Sequence, residues 1–177
     1  MARKEGATIF AYRVSDPSQY GVVRFDDAGQ AIEIVEKPKQ FLSNWAITGL
    51  YFYDNTVLDI AAGLRPSARG ELEITDVNRR FLELQKLHVV KLSRGIAWLD
   101  AGSSADALLE AAEFVRSVQR RQGLLIGCPE EVAYLQGYIT SGHLRILAAK
   151  CNSSVYGDYL QRLIDDQPHY RDIRSGR

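Results

Sequence analysis

The sequence predicts a mixed α/β fold followed by a small cluster of helices. Segments rich in β-branched and aromatic residues alternate with segments of helical periodicity up to about residue 126. Short polar motifs stand where strands end or helices begin, which is where open α/β sheets bind ligands. Beyond that point only short helical patterns follow. We therefore predict an α/β body over residues 7–126, a helical cluster over 127–167 and a polar tail over 168–177.

The composition is that of a globular protein. Of the 177 residues, 46% are hydrophobic and 25% are charged, which is enough apolar sequence for one core and an appendage. The 22 basic residues balance the 22 acidic ones, so the charge predicts neither a nucleic-acid partner nor a membrane partner. Cys128 and Cys151 match no metal-binding or redox spacing, which is typical of free thiols in the reducing cytoplasm.

Four strands are expected in the first third of the chain. Residues 7–14 are β-branched and aromatic, and residues 22–25 and 31–35 flank Asp26-Asp27-Ala28-Gly29, whose composition suits a tight hairpin turn. Residues 45–53 are almost continuously apolar, so we expect this strand to be buried on both faces.

Helical and strand patterns alternate after residue 53. Asp54-Asn55 offers an N-cap to a helix that Pro66 ends, and a second helix carries Ile74, Val77, Phe81 and Leu84 on one face. Residues 89–92 and 96–99 are expected to be strands with a bend between them.

The remaining helices have local signals at their ends. Ser103-Ser104 can cap a long helix, and Gly123 stands where a left-handed C-terminal cap is expected. Shorter helices are predicted from Pro129, from Ser141 and around Tyr159.

Two cations are candidates for binding a phosphate. Lys37 lies between Glu36 and Pro38, and a lysine at a rigid strand end suits phosphate as a point charge. Arg69 precedes Gly70, and its planar guanidinium matches phosphate oxygens. For either cation taken alone, a surface residue without a ligand is the more common case: a solvated lysine beside a turn, or an arginine at a helix end. Glu36 is a possible acceptor for sugar hydroxyls or a partner for a neighbouring cation.

Asp100 is the candidate metal ligand. It is expected to end an apolar strand before the small-residue turn Ala101-Gly102-Ser103, where a carboxylate can hold Mg²⁺ together with phosphate and water. A simple turn-forming aspartate is the alternative. Trp98 could lie beside a ligand or in the core.

Two glycines and two tyrosines complete the candidate set. Gly21 and Gly49 either let the backbone approach a ligand or mark bulges, and Tyr20 and Tyr51 either line a pocket or are ordinary buried tyrosines. Other chemistries lack their motifs. The sequence has no Gly-x-Ser-x-Gly elbow, no Gly-x-Gly-x-x-Gly loop, and three histidines too dispersed for a metal site.

Several motifs in order resemble the C-terminal part of the glucose-1-phosphate thymidylyltransferases, a family of bacterial sugar nucleotidyltransferases. The resemblance runs from about Gly6 to Ile164, and its motifs are Tyr20-Gly-Val-Val, Glu36-Lys-Pro, Ile47-Thr-Gly-Leu-Tyr-Phe-Tyr-Asp54, Arg69-Gly-Glu-Leu-Glu-Ile-Thr-Asp-Val-Asn78, Ala97-Trp-Leu-Asp-Ala-Gly102, Arg121-Gln-Gly123 and Cys128-Pro-Glu-Glu131. The fold it implies is part of a Rossmann-like, glycosyltransferase-A-like mixed sheet, with a β-hairpin and a C-terminal helical cluster.

The resemblance also implies roles for the candidate residues. The family reaction converts dTTP and glucose 1-phosphate to dTDP-glucose and pyrophosphate. The resemblance assigns Lys37 and Arg69 to the sugar phosphate as catalytic residues, and Asp100 to Mg²⁺ as one of two metal-binding aspartates. The implied sugar pocket consists of Tyr20, Gly21, Glu36, Ile47, Gly49 and Tyr51, with Trp98 beside the metal-binding aspartate.

The glycine-rich nucleotide loop, the second metal aspartate and the thymine-reading residues of the family have no counterpart here. We therefore expect a truncated cytoplasmic enzyme that binds glucose 1-phosphate weakly and is inactive alone. The first alternative is a non-catalytic sugar-phosphate-binding or oligomerisation module, either a homo-oligomer or completed by another chain. The second is a relic without a present role.

Overall fold

The computed structural model describes residues 5–67, 70–151 and 153–165. The chain divides into two compact units, Met1–Trp98 and Leu99–Arg177, and each is described by itself. The boundary expected after residue 126 stays a prediction. The described part of the first unit contains β1 (Ala7–Arg13), β2 (Gly21–Phe25), β3 (Ala31–Glu36), β4 (Trp45–Tyr53), α1 (Thr56–Ala62), α2 (Ile74–Glu83) and β5 (Leu87–Lys91). The second unit contains α3 (Ala105–Gln122), α4 (Pro129–Leu135), α5 (Ser141–Lys150) and α6 (Val155–Asp165).

The five strands of the first unit form one mixed sheet in the order β3-β2-β4-β1-β5. β1 pairs with β4 in antiparallel and with β5 in parallel, and β2 pairs in antiparallel with β3 and β4. The mixed α/β fold class predicted from the sequence is thus confirmed. The hairpin between β2 and β3 is confirmed too. Asp26 accepts the Gln30 amide at 2.8 Å, and Gly29 has a φ of +80°, which suits a residue without Cβ.

The core of the first unit lies on one face of the sheet. Alternate residues of β1 are fully buried there, with apolar side chains of the neighbouring strands; the cluster consists of Ile9, Ala11, Val23, Ile34 and Ile47. Val77 and Phe81 on one stripe of α2 pack against Ala7 at the edge of this cluster. Val77 and Phe81, which the sequence places on one face of a helix, are therefore the residues that pack α2 against the sheet.

The second half of β4 is exposed on the opposite face of the sheet, so the expectation that residues 45–53 are buried on both faces is wrong. Ala46 to Thr48 are buried, but 50% of Leu50 and 60% of Phe52 are exposed. The register between β1 and β4 shifts between Ile9 and Ala11, so that Phe10 alone stands opposite three residues of β4. Phe52 contacts the edge of the Phe10 ring at a centroid distance of 6.1 Å, on a face that the described residues leave open.

A second expectation also fails, because residues 96–99 do not form a strand. The ladder beside β1 ends where the Leu92 amide donates to the Ala11 carbonyl at 2.8 Å. A strand exists only through hydrogen bonds to a neighbour, and no described strand pairs with residues 96–99. The apolar pattern of residues 96–99 is that of a strand, but no neighbouring strand pairs with it in the part of the chain that the structure describes.

The second unit is helical, as the sequence predicts. The Ser104 hydroxyl accepts the Ala107 amide at 3.0 Å, and Gly123 ends α3 in the left-handed conformation with a φ of +71°. The core of this unit consists of Cys128, Leu144, Ala148, Tyr159, Leu160, Leu163 and Ile164. The Tyr159 hydroxyl donates to Glu131 at 2.6 Å, which ties α6 to α4. No helix within the described ranges is long and apolar enough to span a bilayer.

Asp54 provides a pH-dependent link between β1 and α1. Its Oδ2 accepts the Gly6 amide at 2.6 Å, and its Oδ1 accepts both the amide and the hydroxyl of Thr56. The Thr56 hydroxyl, and then the Gly6 amide, hold the pKa of this carboxyl below its ordinary value.

We expect Asp54→Ala to lower the melting temperature at neutral pH. A lowered folded-state pKa stabilises the fold above the unfolded-state pKa, and this contribution is lost as the pH falls through the folded-state pKa. The difference between wild type and Asp54→Ala should therefore shrink in thermal melts recorded from neutral pH down to about pH 2.5.

Asp27→Ala is the matched control for this prediction. Asp27 lies in the hairpin turn and accepts no hydrogen bond from the described residues, so its removal should change the melting temperature little. A melting-temperature difference for Asp54→Ala that stays constant over the whole pH range would contradict the assigned role.

Candidate functional site

The ends of β2 and β3 form a close-packed polar corner around Gly21. Gly21 pairs with Glu36 across the two strands. A Cβ on Gly21 would stand 3.0 Å from the Glu36 carboxylate and 3.1 Å from the Thr75 hydroxyl oxygen, closer than most side chains approach one another. Glycine thus leaves room for the carboxylate, and a Cβ here would push the carboxylate or the hydroxyl aside by a few tenths of an ångström.

Thr75 holds the Glu36 carboxylate in place. Its hydroxyl donates to Glu36 Oε2 at 2.5 Å, and the threonine is buried in the first turn of α2. This contact joins residues 39 positions apart in sequence, so α2 positions a carboxylate that belongs to β3. Sequence analysis missed Thr75 as a site residue. The available signal was its place on the buried stripe of α2, three residues before Asn78, where a hydroxyl needs a polar partner.

Lys37 adopts a strained backbone conformation beside this corner. Its φ is +41°, and its amide donates to the Tyr20 carbonyl at 3.0 Å. A residue with a Cβ pays about 1–2 kcal/mol to enter the left-handed region. The next residue is Pro38, which cannot donate a hydrogen bond to the ladder. Strain of this kind persists where the surroundings impose it, and it concentrates at functional sites.

Tyr51 faces the Glu36 carboxylate from β4. Burial first, and the nearby Glu36 charge second, raise the pKa of the Tyr51 hydroxyl. The hydroxyl is thus neutral at physiological pH and can donate a hydrogen bond. The Tyr51 ring stacks on Tyr53 at 5.9 Å, and the Tyr53 hydroxyl donates to Asn78 Oδ1 at 2.6 Å. The buried Asn78 Nδ2 has no hydrogen-bond partner among the described residues.

Two further residues of the predicted pocket lie on β4. Ile47 is buried, and its Cδ1 is 3.8 Å from the position that a Gly21 Cβ would occupy, so it lines the polar corner. Gly49 lies among the three β4 residues at the register shift, and no atom lies within 4 Å of its notional Cβ. The register shift agrees with the bulge interpretation of Gly49. The open space above Gly49 leaves its place in the sugar pocket a prediction.

Tyr20 and Trp98 form a separate aromatic cluster with Tyr12. The Trp98 ring lies 5.2 Å from the Tyr20 ring and 5.9 Å from the Tyr12 ring. Tyr12 alternates with the buried Ala11 along β1, which places the cluster on the face of β1 away from the core. The predicted pocket residues of the first unit therefore form two groups, a polar corner and an aromatic cluster, joined through the backbone of Tyr20, Gly21 and Lys37.

Two further predicted residues belong to neither described group. Arg69 is outside the described residues, so its role stays a prediction. Asp100 belongs to the second unit, where its Oδ1 accepts the Gly102 amide at 3.0 Å in an Asx turn. The convergence of Lys37, Arg69 and Asp100 on one phosphate likewise stays a prediction.

Asp100 could supply one carboxylate ligand to a magnesium ion. Within the described ranges, no three histidine, cysteine, aspartate or glutamate residues are grouped to hold a metal. Mg²⁺ commonly takes one or two carboxylates and completes its shell with water and substrate phosphates. Asp100 therefore fits one ligand of such an ion and does not form a complete protein site.

The comparisons with known proteins agree with this geometry. The Nucleotidyl transferase family matches residues 1–118. Curated glucose-1-phosphate thymidylyltransferases of Xanthomonas campestris (strain B100) and Mycolicibacterium smegmatis are each 52% identical to the chain, over 92% and 90% of its length. The chain spans only about half of these relatives, 55% of each.

Two solved structures are similar to part of the chain. A crystal structure from Bacillus anthracis, assigned as a glucose-1-phosphate thymidylyltransferase and in complex with a sucrose, is 42% identical with a TM-score of 0.57. Apo UDP-glucose pyrophosphorylase is 22% identical with a TM-score of 0.56 and shares the fold. Each similarity covers 64% of this chain and 44% of the other. With its sheet, its polar corner and this match to more than half of its residues, the chain belongs to the nucleotidyl transferase family.

Proposed function

We propose that this chain binds glucose 1-phosphate as the sugar-phosphate half of a glucose-1-phosphate thymidylyltransferase. The observation that carries the proposal is the Glu36 carboxylate, held by Thr75 over Gly21 and followed directly by the strained Lys37. A fixed carboxylate next to an ammonium group matches a ligand that has hydroxyls at one end and a phosphate at the other. The names of the relatives support this choice of ligand.

Each residue of the polar corner has a role in this proposal. Glu36 accepts hydrogen bonds from sugar hydroxyls, and the neutral Tyr51 hydroxyl is available as a donor. Gly21 leaves the space in which the Glu36 carboxylate and the Thr75 hydroxyl meet. Lys37, together with Arg69, neutralises the phosphate dianion. Tyr20 and Trp98 belong to the separate aromatic cluster, and a role for them at the sugar stays a prediction from the resemblance.

The proposed reaction belongs to the complete enzyme. A phosphate oxygen of glucose 1-phosphate attacks the α-phosphorus of dTTP, the bond to the bridging oxygen breaks, and pyrophosphate leaves. The protein contributes mainly position and charge neutralisation. Asp100 would hold a magnesium ion, which supplies positive charge to the phosphates when it is bound. A cytoplasmic location is part of the proposal and fits the free Cys128 and Cys151.

Lys37 gives a test that separates binding from folding. Lys37→Gly removes the ammonium group and also relieves the positive φ, so we expect unchanged or higher thermal stability together with the loss of glucose 1-phosphate binding. Isothermal titration calorimetry should find weak binding to wild type, with a dissociation constant of about 1 mM, and at least tenfold weaker binding to the variant.

Two further variants sharpen this experiment. Lys39→Ala removes an exposed lysine two residues away and should leave binding unchanged. Thr75→Val releases the Glu36 carboxylate and should weaken binding, whereas Thr75→Ser keeps the hydroxyl and should retain it. Equal binding to wild type and Lys37→Gly would contradict the proposed site.

The isolated chain is expected not to catalyse transfer. It spans 55% of its curated relatives, and its sequence has no glycine-rich phosphate loop to hold a nucleotide. In a coupled assay with dTTP, glucose 1-phosphate and Mg²⁺, the purified chain should release no pyrophosphate above the buffer background. Steady release that Lys37→Gly abolishes would overturn this expectation, while contaminating activity would be the same in both samples.

A second candidate function, assembly with another copy of this chain, is favoured by the open face of the sheet. Leu50 and Phe52 are at least half exposed on β4, and they adjoin Phe10 on the neighbouring strand. Contiguous apolar surface of this kind is typical of interaction sites. A second copy offers the same apolar face, and a two-fold pairing would cover both at once.

Light scattering with size-exclusion chromatography tests this candidate. We expect wild type to elute as a dimer and Phe52→Lys as a monomer, because a charge on each facing strand opposes the pairing. Leu58→Lys, which places a charge at an exposed residue of α1, is the control and should stay dimeric. A wild-type monomer at all accessible concentrations would exclude the self-assembly function without affecting the sugar site.

A further inference from the structure

A cleft opens on the first unit, at the end of β2 opposite to Gly21 and the polar corner. It has a volume of about 470 Å³ and lies where β1, β2 and β5 end and β4 begins. The residues used in the argument are Arg13, Arg24, Phe25, Phe41, Trp45 and Lys91. None of the predicted sugar-site residues lines it. Phe25 is four residues along β2 from Gly21, which corresponds to about 13 Å of extended strand.

The cleft carries positive charge without an acidic residue in its lining. Arg24 forms an ion pair with Glu33 at 2.7 Å, outside the lining. Arg13 and Lys91 form no ion pair within the described ranges. The net charge of the chain is zero, yet Arg13, Arg24 and Lys91 all line this one cleft. Arg13 and Lys91 have no anionic partner among the residues that the structure describes. An anionic ligand would gain from both.

Three aromatic rings, those of Phe25, Phe41 and Trp45, also line the cleft. The Lys91 ammonium lies 3.7 Å from the centroid of the Phe25 ring and 5.4 Å from that of Trp45, and these two rings contact edge to face at 6.1 Å. Phe41 is 73% exposed, although burying a phenylalanine ring is favourable. The exposed Phe41 ring and the Lys91 ammonium line the same cleft. This combination fits a flat, anionic molecule.

We propose that this cleft binds a nucleoside monophosphate, with its phosphate between Arg13 and Lys91 and its base on Phe41. The base contributes stacking of a flat ring on the exposed aromatic, and the phosphate supplies the negative charge that the lining lacks. A sugar phosphate or inorganic phosphate would satisfy only the cations. The proposal is independent of the sugar-phosphate site, because the two sites share no residue.

Isothermal titration calorimetry on the full chain with adenosine 5′-monophosphate tests the proposal. We expect saturable binding that weakens at least about tenfold in Arg13→Ala and Lys91→Ala, as for loss of a charge-assisted hydrogen bond. Phe41→Ala should weaken it about fivefold or more, as for loss of a stacking partner. Lys150→Ala removes an exposed lysine of the second unit and should leave binding unchanged.

Two comparison ligands and one cross-check decide the outcome. Ribose 5-phosphate should bind at least fivefold more weakly than the nucleotide, and inorganic phosphate more weakly still; equal affinities would overturn the stacking role and with it the proposal. Lys37→Gly should not alter nucleotide binding, and Lys91→Ala should not alter glucose 1-phosphate binding, so failure at one site is distinguishable from failure at the other. No binding, or binding that Arg13→Ala and Lys91→Ala leave unchanged, would overturn the proposal as well.

Discussion

The hydrogen bond from Thr75 to Glu36, across the space that Gly21 leaves open, is the contact on which the polar corner depends. It places a carboxylate between a strand end and a helix start, and it brings together segments 39 residues apart. A Cβ at Gly21 would press on both partners, so the glycine, the acid and the hydroxyl fit together as a set. α2 in turn is fixed by Val77 and Phe81, which pack against the sheet. The apolar core therefore fixes the position of α2, and with it the position of the Thr75 hydroxyl in the corner.

Strain at Lys37 follows from the same constraint. β3 must end at Glu36 for the carboxylate to reach Thr75, and the amide of the next residue is held by the Tyr20 carbonyl. These two requirements leave Lys37 in the left-handed region, at a cost of about 1–2 kcal/mol. Glycine would avoid that cost. Stability alone does not account for a lysine at this position, whereas the phosphate contact proposed for its ammonium group would.

The features that the sequence predicted correctly have causes within a few residues of each other. The turn at Asp26 and Gly29, the cap at Ser104 and the left-handed end at Gly123 each depend on one local hydrogen bond or backbone angle. The failures were non-local. Residues 96–99 carry a strand pattern, yet a strand requires a neighbour that lies elsewhere in sequence. The exposure of Phe52 follows from which elements cover the sheet, and Thr75 gained its role from a partner on another element. Glu36 and Gly21 became candidates because each stands at a strand end that the pattern did identify, whereas Ile47 became one only through the family resemblance.

The alternation of β4 couples the two faces of the sheet. Ile47 and Tyr51 point to the polar corner and its core, while Leu50 and Phe52 point to the open face. A partner that covers Phe52 would bury apolar area and restrain β4, including the segment at the register shift that Gly49 occupies. Restraint of that strand lowers the ordering cost of any ligand that contacts Tyr51. Assembly and sugar binding, if both occur, would then reinforce each other through one strand, and linkage requires glucose 1-phosphate to favour the assembled state by the same factor.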